Sequence, residues 1–344
     1  MPQRKRFQEN LVRIVHDPLF GDHLRGIPHP ESPDRVQAVA DFLVRTNRWN
    51  DVVAAADASD AQITAVHSGA YLEIVKREVG ALDGHAGYLS TGDTVVDSSS
   101  LTVARRAAGG AITAMEEAVH ASRPVLGLLR PPGHHAESGR GMGFCIFNNA
   151  AIAAREYLRR FGGRVLVVDF DYHHGNGTQA VAGAGLSYVS THGFPAYPGT
   201  GAFEENYERA GDAVMNIPLP PHAYGTEPFV ATWQQLLPFA AARVKPNFIV
   251  VSAGFDYAAG DPVGDLGVDV PAARELALAI ESVAREYCNG ASIYLLEGGY
   301  GTNALAQSVG HIIDALSFPA DGSVADQRAI PPPQTAMLGR LFGD

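Results

Sequence analysis

The sequence predicts an α/β protein, a three-layer αβα arrangement around a mainly parallel central sheet. Three observations carry that prediction. Six short apolar runs rich in Val, Ile and Leu punctuate the chain. Stretches of helical period separate them. The conspicuous polar clusters follow the runs directly, as ligand-binding residues do at the carboxyl edge of an open parallel sheet.

The runs are residues 11–15, 124–129, 164–170, 186–190, 248–252 and 292–296. Short length, β-branched content and Gly or Pro boundaries favour strand over helix. Helical patterns cover 33–46, 61–79, 101–120, 149–161, 228–244 and 271–288. Asp34 stands in the first turn of the first, where an acid suits the helix dipole. Gly290 is placed to stop the last. The chain shows no repeat and no linker rich in Pro, Gly or Ser. One domain over 1–344 is expected, with its core at about 11–320 and a loosely attached tail from Pro331.

The 344 residues are 46% hydrophobic and carry a formal net charge of −11. That charge argues against nucleic acid as a partner, which would need a basic face. Arg4-Lys5-Arg6 reads as a solvated terminus. No apolar run approaches the ~18 residues of a membrane span, so no membrane partner is expected. No secretory pattern opens the sequence, and two cysteines, Cys145 and Cys288, build no disulfide framework. A cytoplasmic location is expected, and a homo-oligomer is compatible with the composition.

Adjacent histidines occur in Arg130-Pro131-Pro132-Gly133-His134-His135-Ala136, where a Pro/Gly turn would hold them at a fixed place for proton handling. A second cluster spans Asp169 to Gly177 and contains Asp171, His173, His174 and Asn176. Asp256 follows the run 248–252, and Tyr300 follows 292–296. All four segments therefore lie at carboxyl ends of predicted parallel strands and can converge.

Asp171 and His173 are two residues apart, so an extended segment projects both side chains to one side. A carboxylate and an imidazole can then grip one ion, with Asp256 as a third ligand and a position left open for water and substrate. Such ligands suit Zn(II), with Fe(II), Co(II) or Mn(II) as alternatives. Asp169 can ligate as well or stand behind an imidazole as an acceptor. His174 points the other way, where a structural hydrogen-bonding role fits.

These strings resemble the histone deacetylase family, including deacetylase-like amidohydrolases and acetylpolyamine amidohydrolases, over roughly residues 16–316. The resemblance rests on 130–136, on Gly143-Phe144-Cys145-Ile146-Phe147-Asn148-Asn149, on 169–179 and on Glu297-Gly298-Gly299-Tyr300. The segment from His29 to Arg35 is also similar, and Asn176 resembles the class II branch.

The resemblance implies the arginase/deacetylase fold and a zinc site of Asp171, His173 and Asp256. It implies attack by an activated water on an acetamide, with the His134/His135 pair carrying protons and Tyr300 donating to the developing oxyanion. Asp169 would back His134 and Asn176 would back His135. An amide cannot supply the charge of an Asp, so His135 should be the less basic of the two. Gly143, Phe144 and Tyr197 would line a narrow channel, with Asp93 as a rim acid. Arg35 would line an acetate exit. Ser190, with the segment of Asp169, Asp171 and His173, would form a structural K(+) site.

The implied substrate is an acetylated lysine side chain or a related acetylated amine. Val263 stands where polyamine-selective members carry a Glu, which argues against that kind of gate for a distal ammonium. An acetylpolyamine or other small-amide hydrolase is the first alternative. A non-catalytic acyl-lysine-binding protein is another, and the complete set of ligands, histidines and Tyr300 speaks against it. A ureohydrolase would need further carboxylates for a second metal.

Overall fold

The computed structural model describes residues 12–317 and 331–343. The expected strand start at Leu11 and the basic Arg4-Lys5-Arg6 lie outside the described residues. Strand β1 (Arg13–His16) is followed by helix α1 (Asp34–Arg45), strand β2 (Val52–Ala54) and helices α2 (Asp60–Ile63) and α3 (Gly69–Gly80). A hairpin, β3 (Gly87–Tyr88) and β4 (Val95–Val96), precedes α4 (Ser100–Ala121) and β5 (Val125–Gly127). Next come α5 (Asn149–Phe161), β6 (Val165–Asp169), α6 (Asn176–Ala180) and β7 (Leu186–Gly193). The chain continues through β8 (Tyr207–Arg209), β9 (Asp212–Leu219), α7 (Thr226–Val244) and β10 (Phe248–Ala253). It ends with α8 (Ala272–Tyr287), β11 (Ser292–Leu296), α9 (Thr302–Ser317) and α10 (Pro332–Phe342).

Nine strands form one sheet in the order β2-β1-β5-β11-β10-β6-β7-β9-β8. Every neighbouring pair is parallel except the edge pair β8–β9. The helices pack in two groups, α1, α9, α8 and α7 in one and α2, α3, α4 and α5 in the other. This is the expected α/β class. Strands β5, β6, β10 and β11 are buried along their whole length. Burial on both faces is why they read as continuous apolar runs instead of alternating ones. Among the described residues no helix is long and apolar enough to cross a membrane.

Three local expectations differ from the structure. The single helix expected at 61–79 is two helices. Ser68 caps the second through Tyr71 N (3.1 Å), while its own N–H donates to Ser138 O (2.7 Å) and His67 Nδ1 donates to Glu137 O (2.8 Å). Those tertiary bonds draw 64–68 out of helical conformation, a pull that local periodicity does not register. Strand β9 was not expected, since Pro218 and polar Asp212 and Asn216 interrupt its apolar pattern. The segment from Pro331 includes α10, which lies against β9 and α7 and buries Gln334 and Leu338.

Candidate active site

Sheet order explains why distant motifs meet. Strands β5, β11, β10 and β6 are consecutive neighbours, with Ala253 level with Leu296 and Ser252 level with Asp169. Their carboxyl ends therefore deliver the segments of His134, Tyr300, Asp256 and Asp171 to one edge.

Asp171, His173 and Asp256 are all buried, and one ligand atom from each lies within 4.8 Å of the others. His173 Nδ1 is 2.9 Å from Asp256 Oδ2 and 3.3 Å from Asp171 Oδ1. Backbone amides orient the carboxylates. His173 N (2.8 Å) and Gly298 N (2.7 Å) donate to Asp171, and Tyr172 N (2.9 Å) donates to Asp256 Oδ1. Asp256 Oδ2 is buried and faces only the His173 imidazole, with no hydrogen bond of good geometry from any other group. Glycines make the room. A Cβ on Gly254 would lie 1.8 Å from Asp171 Oδ2, and one on Gly298 would lie 2.4 Å from Asp256 Oδ2.

The electrostatics favour a positive charge at this cluster. Burial would lower the His173 imidazole, but Asp171 and Asp256 outweigh it and bring it up to about 9. Burial and the Asp171 charge hold the Asp256 carboxyl up at about 6. Buried carboxylates gathered at one place need a cation. Two carboxylates and one imidazole, with ligand atoms this close together, fit a divalent one.

The histidine pair stands beside this cluster, ring centroids 4.0 Å apart. A buried ion pair supports its segment, with Arg130 Nε 2.6 Å from Glu31 Oε1. Glu297 Oε2 accepts from Gly133 N (2.6 Å) and His134 N (3.1 Å). His134 Nδ1 donates to Asp169 Oδ2 (3.1 Å), which also accepts from the Tyr188 hydroxyl (3.0 Å). His135 Nδ1 pairs with Asn176 Oδ1 (2.8 Å). Burial opposes charge on His134, but Asp171, Asp169 and Glu297 prevail and raise it to about 10. Burial drives His135 well below its ordinary value, and the neighbouring His134 and His173 push the same way. Asp169 itself sits above the ordinary carboxyl range, because its burial outweighs the attraction of His134.

Above the pair, Gly143 and Phe144 both adopt left-handed backbone, φ +55 and +69. A Cβ on Gly143 would fall 2.3 Å from His135 Cδ2, so only glycine allows this approach. Phe144 packs edge-on to His29 (4.7 Å) and Tyr300 (5.8 Å). Tyr197 faces the His135 ring at 5.2 Å. Asp93 joins the two walls by accepting from Gly143 N (2.9 Å) and the Tyr197 hydroxyl (3.0 Å). Burial pushes the Tyr300 phenol well above its ordinary value, against the pull of the Arg35 guanidinium 4.8 Å from its ring. Arg35 is buried and donates to Glu31 Oε1 (3.0 Å) and Gly299 O (2.7 Å).

Ser190 lies level with Asp169 on the next strand, and its hydroxyl meets His192 Nδ1 at 2.9 Å. His174 is held between Thr200 Oγ1 and Gln179 Oε1, 2.8 Å each. Several participants carried no sequence signal of their own. Glu297 was visible only as part of its motif. Asp261 accepts from Tyr300 N (2.7 Å) and Gly301 N (2.9 Å) and so fixes the Tyr300 turn. Glu31, Tyr188 and Glu137 acquire meaning only from partners distant in sequence.

The model of the family described as histone deacetylase domain matches residues 29–316. The chain belongs to that family. It is 35% identical over 326 residues to histone deacetylase 10, chloroplastic, of Oryza sativa subsp. japonica, covering 88% of this chain and 73% of the relative. It is 35% identical over 300 residues to a probable deacetylase of Methanothermobacter thermautotrophicus, covering 86% and 87%. The crystal structure of the HDA15 HD domain superposes with a TM-score of 0.85 at 28% identity, covering 97% of this chain and 94% of that one. The chain is thus a hydrolase of the deacetylase type with a candidate metal centre, and family and fold agree with the expectation drawn from its motifs.

Proposed function

We propose that the protein hydrolyses the acyl amide of N6-acetyl-lysine or a related acylated amine, releasing acetate and the free amine. One observation carries the reading. Two imidazoles with different partners stand beside the buried cluster of Asp171, His173 and Asp256. Those three residues would hold zinc, which when bound supplies Lewis acidity toward an amide carbonyl and an attacking water.

The chain's own groups do the rest. Asp169 and Asn176 hold the Nδ1 atoms of His134 and His135 and leave each Nε2 for proton transfer. The pair takes a proton from the attacking water and returns one to the leaving amine. Tyr300 donates its hydroxyl proton in a hydrogen bond to the amide oxygen as charge develops there. Gly143, Phe144 and Tyr197 guide a thin aliphatic chain, and Asp93 clasps the walls at the rim. Arg35 steadies the Tyr300 turn and lies on the acetate side. A structural potassium ion against Asp169, Asp171, His173 and Ser190 belongs to the same reading, tested by thermal stability in potassium against lithium.

The test is steady-state kinetics of zinc-loaded protein on an acetyl-lysine peptide, acetylputrescine and acetylspermidine. The peptide should have the highest kcat/KM. Preference for a polyamine would reassign the substrate, and metal-loaded protein inert across the panel would overturn the reaction.

A further inference from the structure

Glu137 follows the histidine pair by two residues and returns to it through Asn176. Asn176 Nδ2 donates to Glu137 Oε1 at 2.7 Å, while Asn176 Oδ1 faces His135 Nδ1 at 2.8 Å. A carboxylate accepts and cannot donate, so the amide NH2 must face Glu137 and the amide oxygen must face His135. An oxygen there accepts only, so His135 carries its proton on Nδ1 and keeps a lone pair on Nε2. The other acceptors near Asn176 Nδ2, His135 O and Met142 Sδ, stand farther off at 3.4 Å each. Glu137 is itself anchored. Its carbonyl accepts from His67 Nδ1 (2.8 Å), and His67 Nε2 accepts from Asn148 N (2.9 Å).

We propose that Glu137 is a positioning residue that sets the tautomer of His135 through Asn176. Its kinetic consequence rests on the amide-hydrolysis reading, and its structural consequence does not. Without this acceptor the amide can turn over, present NH2 to His135 and move the ring proton to Nε2. The ring would then face the reacting centre with a donor where an acceptor is needed.

The test reads the imidazole nitrogens of the resting full-length protein by NMR with 15N-labelled histidine, the His135 signals being those lost in His135→Gln. The wild type should show Nδ1–H. Glu137→Lys places a donor opposite Asn176, so it should turn the amide, move the His135 proton to Nε2 and lower kcat at least about tenfold with KM little changed. Adding Asn176→Asp to Glu137→Lys supplies acceptors to both neighbours, and it should restore the Nδ1–H signal and most of kcat. Glu137→Ala, which adds no bulk, should give mixed tautomers and serves if the lysine variant does not fold. Unchanged His135 signals in both Glu137 variants would overturn the proposal. A wild type that hydrolyses no acyl amide would overturn the proposed reaction and leave the tautomer assignment standing.

Discussion

His134 and His135 are adjacent in sequence and almost in ring contact, yet the protein treats them differently. Behind His134 stands a buried carboxylate in direct hydrogen bond, Asp169, with Asp171 and Glu297 close by. Behind His135 stands an amide, and a carboxylate only one residue further on, the half-buried Glu137. The first arrangement transmits charge, and His134 is raised to about 10. The second transmits orientation, and His135 stays well below its ordinary value. A direct buried neighbour acts at short range and low dielectric, whereas a more distant, partly solvated one is screened. Burial lowers both rings; Asp171 and Asp169 outweigh it at His134, whereas at His135 the charged His134 and His173 add to it and the amide of Asn176 offsets little.

The comparison can be broken or sharpened by substitution. The largest effect should come from removing what both histidines serve. His173→Ala or Asp256→Ala should lose bound metal and turnover together, measured by elemental analysis and peptide kinetics. Normal metal content and activity in either variant would falsify the ligand assignment. Next, Asp169→Asn removes the direct carboxylate behind His134 and should lower kcat by about 10²–10⁴-fold with metal retained. A loss no larger than that of Glu137→Ala would erase the distinction between the two sides.

Asn176→Asp combined with Glu137→Gln, which gives the new carboxylate a donor in place of a second carboxylate, makes the two sides alike. A negative charge next to the ring favours the protonated imidazole, so the kinetic limb belonging to His135 should move up by about one pH unit. A pH–rate profile identical to the wild type would show that Asn176 does not govern His135.

Smallest on turnover, and informative about the shared platform, is Glu31→Gln. Burial alone would push the Glu31 carboxyl up, but Arg130 and Arg35 bring it down to about 2 from an ordinary 4.5. Its folded-state value is depressed, so its stabilising contribution is complete above 4.5 and is lost as pH falls through about 2. Glu31→Gln should therefore cost about 3–5 kcal/mol at neutral pH and flatten this acid limb in chemical denaturation. It should leave the contrast between the histidines in place, since their partners Asp169 and Asn176 are untouched.

Much of this was legible locally. Residues 164–170, 248–252 and 292–296 read as buried strands because both their faces are covered. Motifs following those runs read as one sheet edge because parallel strands all point the same way. The pair Asp171 and His173 was visible because its spacing lies within one extended segment. The split between α2 and α3, strand β9 and the acceptor Glu137 were not visible, since each depends on a partner dozens of residues away. The expectation that Asn176 backs His135 also stopped one bond short. It treated the amide as the end of the chain of hydrogen bonds.

The sequence by itself determined the class of the fold, the family and the kinds of chemical group available, because periodicity and motif are properties of short windows. Only the tertiary structure decided which groups became neighbours. Sheet order placed β5, β11, β10 and β6 side by side. Burial then concentrated the charges of Asp171, Asp169 and Glu297 around His134 and turned an amide toward His135. Basicity and tautomer depend on distance, desolvation and hydrogen-bond direction in three dimensions, and none of these is written in the order of residues.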